Sequence, residues 1–162
     1  MSICKQLLAV TQLTICLFLC NTNFLWGNSV KKIHTEYFTE YDFLRIPEFF
    51  SGKEFTGSRV IVRSSPVRRG LYFSIPLGKK SSHIRKGKRV ELKLIDTTSL
   101  FSRDFSFSLP EISYSQKDLF IGITGADWNQ SAMNLVAWKV EIFDSSKEPL
   151  FSSQSALWGH SK

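Results

Sequence analysis

Beyond residue 20 the chain has no cysteine: Cys4, Cys16 and Cys20 are its only three. No disulfide can form within the remaining sequence, so its stability must come from packing. Histidine is almost as scarce, with His34, His83 and His160 the only three, two of them toward the ends of the expected mature chain and the third in a run of cations. A nucleophile needs a base within hydrogen-bond reach, most often histidine. The sequence also lacks a Gly-x-Ser-x-Gly elbow, a paired-histidine metal spacing and a Gly-rich phosphate loop. Carboxylate pairs such as Asp96 and Asp104 exist, but fourteen acids supply such pairs without design. These absences point away from an enzyme and imply no metal and no cofactor; a small hydrolase is the weakest alternative kept.

Long apolar runs are missing too, except one. Leu7 to Leu19 is apolar apart from Thr11, Gln12 and Thr14, and follows the single charged side chain Lys5. That order is the layout of a secretory signal peptide. Gly27 and Ser29 stand two apart as small residues, which places cleavage after Ser29 and the mature start at Val30. Two rivals stand beside it: an uncleaved anchor over Ile3 to Trp26, long enough for a bilayer of about 30 Å, and a lipoprotein acylated at Cys20. The lipoprotein pattern matches at Leu17 and departs at Leu19, where a small residue is usual. An exported protein of the periplasm or cell surface is the common expectation, and a disulfide-free domain suits a bacterial envelope.

Convincing amphipathic helices are absent from residue 30 onward, and strand alternation stands in their place. Val60 and Val62 alternate with Arg59 and Arg63; Leu71, Phe73 and Ile75 with Tyr72 and Ser74; Val90, Leu92 and Leu94 with Glu91 and Lys93. The same period of two runs through Phe105 to Leu109, Leu119 to Thr124 and Trp138 to Ile142, and a last strand is expected over Leu150 to Leu157. Trp138 is in phase with Val140 and Ile142 and should point inward. Turn clusters separate these runs. The reading is a single all-β sandwich of about seven or eight strands over residues 53–162, preceded by a signal or anchor (1–29) and an aromatic leader (30–52) that packs on the domain. A first strand within Phe38 to Ile46, ended by Pro47, is possible. Over about Phe55 to Trp158 the rhythm resembles immunoglobulin-like and fibronectin type III-like domains in pattern only, and sandwiches host many functions.

Charge is unevenly spread. Val30 to Ser58 has 4 Lys or Arg against 5 acids, Arg59 to Lys93 has 11 against 1, and Leu94 to Lys162 has 5 against 8. The densest stretch is a loop holding Lys79, Lys80, Arg85, Lys86, Lys88 and Arg89, which Arg63, Arg68 and Arg69 could extend. Such a loop attracts phosphate, carboxylate or sulfate; the plainer reading is a solvated connection. It has no aromatic residue, which argues against nucleic acid, and an export signal argues against nuclear import. A second candidate is the loop of Asp127, Trp128 and Asn129. Trp128 either stacks on a sugar ring or, as loop tryptophans more often do, folds back over the core. Asp127 and Asn129 have the one-apart spacing of calcium ligands but no further acids in register. The functional expectation is an exported non-catalytic binding or assembly module, meeting a protein partner or an anionic envelope polymer through the basic loop. A carbohydrate-binding module using the Trp128 loop is the alternative.

Overall fold

The computed structural model describes residues 32–78, 81–99, 101–146 and 148–160. The signal or anchor segment, its cleavage site near Ser29, Cys20, and the loop cations Lys79 and Lys80 lie outside the described residues. Eight strands follow one another: β1 His34–Phe38, β2 Arg59–Arg63, β3 Gly70–Pro76, β4 Arg89–Asp96, β5 Arg103–Ser108, β6 Asp118–Thr124, β7 Leu135–Phe143 and β8 Pro149–Gln154. They form two sheets of four, ordered β1-β3-β6-β2 and β5-β4-β7-β8. The fold is an all-β sandwich.

The inner faces are the ones that the alternation marks. Leu71, Phe73 and Ile75 of β3 and Leu119, Ile121 and Ile123 of β6 meet Val90, Leu92 and Leu94 of β4 and Val140 and Ile142 of β7 in one buried cluster. Register keeps these sets level: Phe73 pairs Ile121 in one sheet, Leu92 pairs Val140 in the other. Trp138 pairs Leu94 and points inward, its ring edge-on to Phe73 of the opposite sheet at 5.7 Å, though it stays half-buried. Trp138→Ala should therefore cost about 2–3 kcal/mol, below the roughly 3–5 of a fully buried large aromatic. Denaturant midpoints measure this, and a loss of only a few tenths would mean that the ring does not seal the sandwich.

The outer face of the first sheet is where sequence pattern and structure part. β1 and β2 lie on opposite edges of that sheet and run parallel, because β1 pairs β3 antiparallel, β3 pairs β6 antiparallel, and β2 pairs β6 in parallel. Parallel strands cannot be joined by a tight hairpin, so residues 39–58 must cross over β3 and β6. The strand expected within Phe38 to Ile46 is instead β1 ending at Phe38, a 3-10 turn at Tyr41–Phe43, and a short helix α1, Ile46–Ser51. Pro47 sits in the first helical turn, where its missing N–H costs nothing, and Gly52 closes the helix in the left-handed region at φ 65°. Under this crossover Tyr72 and Phe120, outward by alternation, are buried against Phe38 and Phe43. The last strand stops at Gln154, short of Leu157, and Trp158 belongs to a following 3-10 turn against β7.

Candidate functional site

From residue 81 onward the basic loop is a folded connection. Ile84 is buried and a 3-10 turn spans Ile84–Lys86. Arg85 turns back, its Nη2 donating to the carbonyls of Leu77 (2.7 Å) and Gln116 (2.9 Å) and its Nη1 to that of Ser113. The guanidinium also lies 5.2 Å from the Tyr114 ring centroid. Arg89 is paired with Glu91 at 3.0 Å and covers the Phe143 ring. Lys86 and Lys88 are exposed, so among the described residues they are the cations of this loop that project into water.

Arg63 and Arg68 are likewise committed. Arg63 holds Glu54 with both terminal nitrogens, at 2.8 and 2.5 Å, and its Nε donates to the Tyr72 hydroxyl at 2.7 Å. Arg68 Nη1 donates to Glu48 at 2.7 Å, and the other Glu48 oxygen accepts from the Phe55 N–H. These pairs clamp the crossover onto β2 and β3. Arg69 behaves differently: its side chain is exposed, and it has no hydrogen bond or carboxylate partner among the described residues.

Arg69 faces the second candidate of the sequence. Together with Tyr37, Trp128, Asn129, Gln130 and Ser131 it lines an open groove of about 780 Å³ at one end of the sandwich. Two glycines make this approach possible. A Cβ on Gly70 would meet the Ile123 carbonyl oxygen at 2.2 Å, so only glycine lets β3 start this close to β6. Gly125, at φ 63°, turns the chain out of β6 and donates its N–H to the Arg69 carbonyl at 3.1 Å. The strand ends are further stitched by Thr124, buried, whose hydroxyl and N–H exchange hydrogen bonds with Ser64 and Ser65.

Trp128 is 4% exposed and caps the core, the more frequent of the two roles expected for it; its indole N–H donates to Gln130 Oε1 at 2.9 Å. Asn129 Oδ1 accepts from the N–H and hydroxyl of Ser131. Both amide oxygens are thus occupied by neighbours, and the amide NH2 groups of Asn129 and Gln130 have no partner among the described residues. With the Arg69 guanidinium and the Tyr37 hydroxyl, the groove offers donors and a positive charge. Asp127 is not part of its lining; its backbone carbonyl accepts from Arg103 Nη2 at 2.6 Å.

That arginine ties the loop to the core. Arg103 Nη1 also pairs with Asp96 at 3.0 Å, whose buried carboxylate accepts from the Thr98 N–H and hydroxyl. Burial opposes the Asp96 charge, yet Thr98 and Arg103 outweigh it and hold the carboxyl below its ordinary range. Hydrogen bonds from Arg68 and Arg63 lower Glu48 and Glu54 in the same way. A carboxylate lowered in the folded state contributes stability that is present above its unfolded pKa and lost as pH falls through the folded value. We expect a thermal midpoint that is flat from neutral pH to about 5 and falls below about 4. Asp96→Asn should lower the neutral-pH plateau and flatten part of that acid slope; an unchanged slope in the variant would remove Asp96 from the account.

Of the candidates read from the sequence, then, the fold brings together Arg69, Trp128 and Asn129, and separates them from Arg68, which faces the crossover. Tyr37 was legible only as one of many aromatics in an aperiodic stretch. The chain matches no protein-family model, no curated protein and no solved structure.

Proposed function

We propose that the protein is an exported, non-catalytic binding module of the cell envelope that recognises an anionic, oxygen-rich polymer, with the groove at the Arg69 end of the sandwich as its ligand site. The observation that carries this reading is the convergence of an unpaired guanidinium with two side-chain amides whose oxygens are already occupied. A site of that composition recognises acceptors: carboxylate, sulfate or phosphate groups, and sugar hydroxyl and ring oxygens. The buried Trp128 supplies a rigid wall rather than a stacking platform. Among the described residues His34 pairs with Glu36, and His83 Nε2 is buried without a hydrogen-bond partner. A protein partner for Lys86 and Lys88 is the second reading, favoured by their exposure beside the 3-10 turn that the buried Ile84 anchors.

Retention on immobilised polygalacturonate, heparin and a neutral glucan separates the two. Arg69→Ser should weaken binding to the acidic polymers at least about tenfold, the order of one charge-assisted contact, and leave the melting temperature unchanged. Lys86→Ser with Lys88→Ser should weaken it less and only at low salt, where long-range attraction is unscreened. Equal retention of Arg69→Ser and wild type on every polymer would overturn the groove reading.

A further inference from the structure

The crossover that covers the first sheet is inverted in polarity. Its acids Glu48 and Glu54 point inward to Arg68 and Arg63, while its large apolar side chains other than the buried Phe43 point out. Tyr41 is 82% exposed, Ile46 75%, Phe49 78% and Phe50 87%, with Leu44 and Phe55 about half exposed beside them. No residue of α1 is buried. Phe49 and Phe50 are about 100° apart around a helix, so exposure of both means that α1 stands out as a ridge. Six such side chains within fifteen residues exceed the scattered apolar exposure that monomers normally show.

We propose that this ridge docks on an anionic phospholipid bilayer, inserting Ile46, Phe49 and Phe50 at headgroup depth. Three observations select a bilayer over another occupant. A protruding ridge of apolar side chains suits a deformable interface, in which aromatic rings settle at the headgroup level. The cations Arg45 and Lys53 flank α1 and form no ion pair among the described residues, Arg45 spending one nitrogen on the Leu44 carbonyl and acting on Asp42 only at longer range; the exposed acids of the crossover, Glu40 and Asp42, stand before the helix on either side of Tyr41, and Asp42 is bonded to Thr39. Finally, β1 and β2 run parallel, so the chain leading in from residues 1–31 reaches the sheet at the same end as the crossover's return at Phe55 to Ser58. No described helix is long and apolar enough to cross a membrane, so the contact is with the surface. This docking is independent of the groove and does not require it.

Amide hydrogen exchange on the full-length chain reads the contact segment by segment. Vesicles of phosphatidylcholine containing one quarter phosphatidylglycerol should slow exchange across residues 46–53 by about tenfold or more, leaving β4 and β7 unchanged. Phe49→Ser with Phe50→Ser should abolish that slowing without changing the melting temperature, because neither ring is buried. Unchanged exchange at 46–53 in protein that sediments with the vesicles would place the contact in residues 1–31 and overturn the proposal. Concentration-dependent protection of 46–53 without vesicles, lost in the variant, would identify a second copy as the occupant and overturn it equally.

Discussion

Replacing Tyr72 by Ala should remove roughly 3–5 kcal/mol, a large share of the 5–15 kcal/mol typical of a whole domain. The ring is fully buried among Phe38, Phe43 and Phe120, so its loss opens a cavity in the layer that joins the crossover to the sheet. The hydroxyl adds a second cost: it accepts from Arg63 and donates to the Arg68 carbonyl at 2.6 Å. Burial raises the phenol above its ordinary pKa, against the opposing pull of Arg63. Tyr72→Phe keeps the ring and loses only these bonds, and should cost about 1–2 kcal/mol. Urea midpoints of the two variants divide packing from hydrogen bonding. If Tyr72→Ala were no worse than Tyr72→Phe, the crossover would not be packed on this face. The ring's neighbour sets a further constraint, since a Cβ on Gly122 would meet it at 2.5 Å.

Arg85→Ala should cost about 2–3 kcal/mol, unusual for a cation in a surface loop, where most substitutions stay within about 0.5 kcal/mol. It removes the guanidinium from the carbonyls of Leu77, Ser113 and Gln116, with the Ser113 carbonyl keeping the Gln116 N–H, and these come from two different connections, β3–β4 and β5–β6. Arg85→Lys should recover only part of the loss, because an ammonium cannot reach three carbonyls with the planar fork of a guanidinium. Lys86→Ser, one residue on and exposed, should be neutral. Melting curves of the three variants test this, and equal midpoints for Arg85→Ala and Lys86→Ser would mean that the loop is held by Ile84 alone.

The contrast between Arg85 and Lys86 shows what a linear sequence carries and what it does not. Alternation at Val90, Leu92 and Leu94 requires only neighbours in the chain, and it places the core faces of both sheets. The burial of Trp128 follows from the size of an apolar ring at a strand end. Partnership of charges does not follow from neighbours. Glu54 lies nine residues before Arg63, and Glu48 twenty before Arg68, so a tally of charge along the chain counts the acids with an acidic stretch and the arginines with a basic one. Folding brings them together because β1 and β2 occupy opposite edges of one sheet, a placement that no local period encodes. The same crossover explains why Tyr72 and Phe120, outward by alternation, are buried. Arg69 and Asn129, read separately as part of an anion patch and part of a sugar loop, share one groove only because Gly70 lets β3 begin against the end of β6.

Whether the proposed groove of Arg69 and the Asn129–Ser131 turn takes a ligand is tested most directly by backbone chemical shifts during titration with an oligogalacturonate. The expected shifts are confined to Tyr37, Arg69, Gly125 and Asn129 to Ser131, saturate together and are absent in Arg69→Ser. Shifts gathered instead at Lys86 to Arg89, or none at any residue with acidic, sulfated and phosphorylated oligomers alike, would contradict the groove reading.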